Sequence, residues 1–195
     1  MPTGAVNLEL SRLTCALSSF AKTELGIVLT NSPERALILA CGNPLRGDDG
    51  VALHVAESLV RGICEGKTEV ETGHQWLPEM AERISEANVV IFLDASRDIP
   101  AGAVCTRLVA AANPAPQALT HSMSPEKLLA LARDLYHSLP QEAYLVSIGA
   151  ATFELSTQLS EPVRHAIPVA LNQVKAILSG VSVPRPQAIA VNHST

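Results

Sequence analysis

The chain has 195 residues, enough for one domain with a substantial core and too few for two of ordinary size. Its formal charge is −5, from 14 basic and 19 acidic residues, and the basic residues do not cluster, which excludes an electrostatic footprint for nucleic acid. Hydrophobic residues make up 47% and aromatic ones only 3%, with no apolar run near the roughly 18 residues that span a bilayer. The expected molecule is a cytoplasmic protein with aliphatic helices packed on a sheet, touching neither membrane nor nucleic acid.

Residues 1 to 33 precede the first clear strand. Leu8, Leu10, Leu13, Leu17 and Phe20 can line one face of a helix there, while Glu9 and a lone Arg12 make a poor start for a signal peptide. Asn31-Ser32-Pro33 breaks the chain, and residues 35 to 42 read as a fully buried strand. A helix is expected from 48 to 64, with Val51, Val55, Leu59 and Val60 inward, and a short strand from 68 to 72. Pro78 suits the first turn of a second helix reaching residue 87, and a continuously apolar strand follows from 89 to its terminal acid, Asp94. A fourth strand spans 104 to 110, and a Pro- and Ala-rich loop leads to Ser124 and Pro125, the N-cap and first position of a helix. Residues 143 to 149 form the fifth strand, 161 to 178 the last helix, and 180 to 195 a tail. The α/β domain is therefore 34–179, flanked by an extension at 1–33 and a tail at 180–195. Strands alternating with helices imply a three-layer α/β/α architecture around a doubly wound, mostly parallel five-stranded sheet.

The first strand runs into Gly42-Asn43-Pro44-Leu45-Arg46-Gly47-Asp48-Asp49-Gly50, so two adjacent carboxylates sit at a strand's carboxyl end, where open α/β sheets form their crevices. The loop has neither GxGxxG nor a GK[ST] ending, and two acids at a helix start repel phosphate, so it suits a cation or a proton. Neighbouring positions there point about 100° apart, so one aspartate can cap the helix while the other faces the crevice. Asp94 ends the third strand, and if the first and third strands are neighbours the gap between them is the topological switch point. His121 follows a loop and can overhang the same crevice, and His74 can border it. Two carboxylates and an imidazole can bind a divalent metal or act as acid and base. Plainer roles exist for each: helix capping for the pair, a loop-amide acceptor for Asp94, a surface imidazole for His121. Cys15, Cys41, Cys64 and Cys105 form no CxxC pair and read as structural thiols, with Cys41 pointing into the sheet. No GxSxG elbow is present, so acyl-enzyme chemistry is disfavoured.

The glycine- and aspartate-rich loop resembles the signature of the [NiFe]-hydrogenase maturation protease family, GxGNxLxxDDGxG. The resemblance continues through His74-Gln75-Trp76-Leu77-Pro78-Glu79, Phe92-Leu93-Asp94-Ala95 and Thr120-His121-Ser122-Met123, covering about residues 35 to 178. Ala40 and Ala52 stand where the signature has its first and last glycines. The resemblance implies an endopeptidase, of aspartic or metal-assisted type, that cuts a C-terminal extension from a hydrogenase large-subunit precursor after nickel insertion. It implies that Asp49, Asp94 and His121 contact nickel carried by the substrate, with Asp49 or Asp94 as catalytic base. A nickel-inspecting chaperone that does not cut, or a metal-assisted hydrolase of a small molecule, would carry the same three residues.

Overall fold

A computed structural model describes residues 35–63, 67–113 and 123–180. His121, Cys15, Cys64, the extension at 1–33 and all of the tail but Gly180 lie outside them.

Six consecutive apolar residues make strand β1 (Ala36–Cys41), and every one of them is buried. A strand reads that way only when both of its faces are covered. Ile38 and Ala40 pack on one face with helices α1 (Val51–Ile63) and α4 (Glu161–Leu178). Leu37, Leu39 and Cys41 pack on the other with α2 (Met80–Glu86) and α3 (Pro125–Tyr136). The remaining strands are β2 (Thr68–Gly73), β3 (Val89–Ser96), β4 (Val104–Leu108) and β5 (Glu142–Gly149), in the spatial order β2-β1-β3-β5-β4. This is the expected three-layer, mostly parallel five-stranded architecture.

β1 lies between β2 and β3, parallel to both, with Ala40 opposite Leu93. Its connection to β2 runs through α1 on one face, while the chain leaving β3 returns to β5 through α3 on the other. The crevice between β1 and β3 is therefore the switch point.

Several local expectations need correction. Asp48 and Asp49 do not open an α-helix: Gly47–Gly50 form a separate 3-10 turn before α1. β3 runs two residues past Asp94 because β5 outreaches β1 and continues the ladder, pairing Asp94 with Ser147 and Ser96 with Gly149. β4 is an antiparallel edge strand and stops at Leu108, where exposed Arg107 and Leu108 replace core-facing residues. Pro78 sits in a turn, and α2 begins at Met80. The Ser124 cap is as expected: its hydroxyl accepts from the Lys127 amide, with Pro125 at the first turn. Ala40 and Ala52, where glycines were expected, are buried core residues. Among the described residues no helix is long and apolar enough to cross a membrane.

Candidate functional site

The loop leaving β1 is folded onto itself by its own polar groups. Asn43 Oδ1 accepts from the Leu45 amide at 2.9 Å, the Asn43 carbonyl accepts from the Arg46 amide at 3.0 Å, and the Arg46 carbonyl accepts from the Asp49 amide at 3.2 Å. Asp49 Oδ2 closes the ring by accepting from the Asn43 amide at 2.9 Å. The motif's glycines make this compactness possible: a Cβ on Gly42 would lie 1.9 Å from the Asp49 carbonyl oxygen, and one on Gly50 would lie 3.0 Å from Pro44 Cα. Asn43 thus holds the loop, and Asp49 is half-buried in a fixed position.

Asp48 turns the other way and is fully buried. Its carboxylate accepts from the amides of Ala151 (2.8 Å), Thr152 (3.1 Å) and Ser160 (2.6 Å) and from the Ser160 hydroxyl (2.9 Å). Burial alone would raise its pKa, but these four donors outweigh that and hold the carboxyl below its ordinary value. Neither aspartate caps α1. One pins a distant loop, and the other braces its own turn.

Asp94 shares a sheet face with Val90 and Phe92, the face that packs on α2 and α3. Trp76 meets Phe92 edge-on, with ring centroids 5.4 Å apart, so the floor beneath the carboxylate is aromatic. Burial pushes the Asp94 carboxyl up to about 7, against the opposing Ala95 amide, and the negative charge of Asp49 adds to the rise. Asp49 and Asp94 are therefore close enough to repel one another. A carboxyl that titrates near neutrality can both take and return a proton at working pH. The Cys41 thiol, buried on the same face, is pushed up to about 12 by burial, then by Asp94 and Glu71, and is inert as a nucleophile.

Asp94, Ser147 and Cys105 stand in register across β3, β5 and β4. They border a cleft of about 390 Å³ that also reaches Arg107 and Leu145. Cys105 is thus half-exposed to a cavity instead of buried in the core, correcting the expectation for that thiol. The antiparallel pairing of β4 created this row, and no sequence signal announced it. His74 is exposed just past Gly73, whose carbonyl accepts from the Gly42 amide at 3.0 Å, so it sits at the same end of the sheet. His121 lies outside the described residues, and among those described no three His, Cys, Asp or Glu side chains gather as a metal-ligand set.

A comparison of two glycines tests the close-approach argument. Gly42→Ala should destabilise the fold by about 2–3 kcal/mol and displace Asp49, because backbone must move. Gly73→Ala should cost less than about 1 kcal/mol, since the tightest neighbour of its Cβ would be the flexible Met80 Cε, at 3.3 Å, with the Gln75 carbonyl oxygen at an ordinary contact distance of 3.4 Å. Thermal unfolding of the two variants side by side reads this, and equal losses would refute it.

No family model matches the chain, and no curated protein does. Solved structures do. The hydrogenase maturating endopeptidase HybD from E. coli superposes with a TM-score of 0.63 at 24% identity, over 75% of this chain and 93% of that one. The [NiFe] hydrogenase maturation protease HybD from Thermococcus kodakarensis gives 0.54 at 22%, over 74% and 99%. HycI, a [NiFe] hydrogenase maturation protease from Thermococcus kodakarensis KOD1, gives 0.58 at 18%, over 78% and 96%. At such identities the likeness is one of fold: this chain has the α/β fold of the hydrogenase maturation endopeptidases.

Proposed function

We propose that this chain is an endopeptidase that removes a C-terminal extension from a [NiFe]-hydrogenase large-subunit precursor after nickel has been inserted. The observation that carries the reading is the pairing of Asp49 with Asp94 at the switch point of a sheet that shares its fold with the maturation endopeptidases. In this reading the nickel belongs to the substrate. Asp49, Asp94 and His121 are its contacts, a set of hard and borderline donors suited to a divalent ion. An apo precursor offers these carboxylates nothing to grip, so their share of the binding energy is realised only with the loaded one.

The chain's own part in hydrolysis follows from the two acids' environments. Asp94, on the wall of the cleft, takes a proton from the attacking water and returns it to the departing amine nitrogen. Asp49, tied to the Asn43 amide, holds its orientation beside Asp94.

The test is a cleavage assay on a candidate precursor with and without nickel, read by intact mass, using the wild type, Asp49→Ala and His121→Ala. Loss of a C-terminal peptide from the loaded precursor alone, abolished by either substitution, is the expected result. Tight nickel-dependent binding without any cut would instead identify a chaperone.

A further inference from the structure

Past Asp94 the chain turns through Ser96, Arg97 and Asp98, and Arg97 borders two cavities at once. One is the Asp94 cleft of about 390 Å³, and the other, of about 490 Å³, is lined by the segment from Ala150 to Glu154. Arg97 is the wall these two cavities share, so the groove they make together runs from Asp94 to that segment.

Two cations border the groove, and they differ in commitment. Arg107 is paired with Glu126 at 2.7 Å. Arg97 has no carboxylate partner among the described residues; its guanidinium carbon lies 4.1 Å over the Phe153 ring instead. Stacking on an aromatic face fixes the plane of a guanidinium while leaving its N–H donors, which lie in that plane, unspent. A fork held that way is prepared for a bidentate carboxylate. The other charges around it sharpen the selection: Asp94, Asp98 and Glu154 border the same cavities and oppose an anion anywhere except at Arg97.

We propose that Arg97 is a specificity-determining residue that reads a carboxylate of the peptide lying in this groove, supplied by an acidic side chain or by the chain terminus. The inference rests on the endopeptidase reading of Asp49 and Asp94 and names the class of peptide that site prefers.

The experiment measures the Kd of a fluorescent peptide copying the end of a candidate precursor, by anisotropy, for the wild type, Arg97→Ala and Arg97→Lys. A second peptide carries a C-terminal amide, and a third has its acidic side chains replaced by amides. Arg97→Ala should weaken the unmodified peptide by about tenfold to a hundredfold, the range for a charge-assisted bidentate contact. One of the two amide peptides should bind the wild type equally weakly, which identifies the source of the carboxylate, and it should lose nothing further in Arg97→Ala. Arg97→Lys should recover only part of the affinity, because an ammonium lacks the fork. A Kd within about twofold of wild type in Arg97→Ala, equal affinity for all three peptides, or no binding to the wild type would overturn the assignment. Cleavage of the loaded precursor separates the two claims. Cleavage with a KM and charge preference indifferent to Arg97 sinks this inference alone, whereas carboxylate-dependent binding without cleavage sinks the enzymatic reading alone.

Discussion

Replacing Asp94 with asparagine should abolish processing of the loaded precursor, by at least about a thousandfold in kcat/KM, while making the protein more stable at pH 8. The two effects share one cause. Burial and the charge of Asp49 disfavour the ionised carboxylate, so the folded protein holds this group's pKa at about 7, above its ordinary 3.8. A group raised in this way contributes its full stability when protonated, below the unfolded pKa. That contribution is lost as pH climbs through the folded value. The displacement from 3.8 to about 7 sets a ceiling of about 4 kcal/mol on the cost of ionised Asp94 at pH 8. Asparagine is neutral at every pH and can still accept from the Ala95 amide. Denaturant titrations in EDTA, pH by pH, should show the variant's advantage opening between about pH 4 and 7 and flattening above. An advantage that does not change with pH would mean that Asp94 is solvated and its proximity to Asp49 unimportant. Retained activity in a stabilised Asp94→Asn would remove it from the chemistry.

That the Asp48-Asp49 pair and Asp94 border one crevice was legible before any coordinates, because strand ends and the switch-point rule are properties of topology, and topology follows from alternating apolar runs and helices; the choice of Asp49 over Asp48 came from the family resemblance. β1 and the Ser124-Pro125 helix start were equally plain, each carrying its signal within a few residues. The reversal of β4 was not. It depends on a turn through 97–103 with Gly102 at φ 80°, which lacks the two-residue signature of a tight hairpin, and on exposed Arg107 and Leu108 forming a sheet edge. The consequences of that reversal were hidden with it: the register row of Asp94, Ser147 and Cys105, and the place of Arg97 at the groove. The loop with His121 was chosen by its distance from a helix start, and its place in the site rests on the resemblance alone. Asp48 was the deepest omission. Its partners are 103, 104 and 112 residues away, and three of its four donors are backbone amides, which leave no mark in a sequence.

Asp48→Ala should cost the fold about 3–5 kcal/mol, the largest loss expected of any single carboxylate here. Truncation leaves three amides and a hydroxyl without their acceptor in a site from which water is excluded, and each orphaned donor costs more than an ordinary hydrogen bond contributes. Asp48→Asn should cost almost as much. Its amide nitrogen would face donors, and only one oxygen remains to accept. The pH dependence runs opposite to that of Asp94. The folded protein holds the Asp48 pKa below its ordinary 3.8, so its contribution is present above that value and lost as pH falls through the folded one. The gap between wild type and Asp48→Asn should therefore be constant at neutral pH and close in acid, where the Asp94→Asn gap also vanishes. The two neighbouring strand-end aspartates then separate by behaviour: Asp49→Asn should leave stability within about 1 kcal/mol and remove processing, while Asp48→Asn should lower the unfolding temperature first and lose activity only as the segment at 150–160 and the turn carrying Asp49 come loose together. An Asp48→Asn protein with wild-type stability would show that the buried carboxylate is not what binds that segment to the turn. The fixed position of Asp49 would then need another cause.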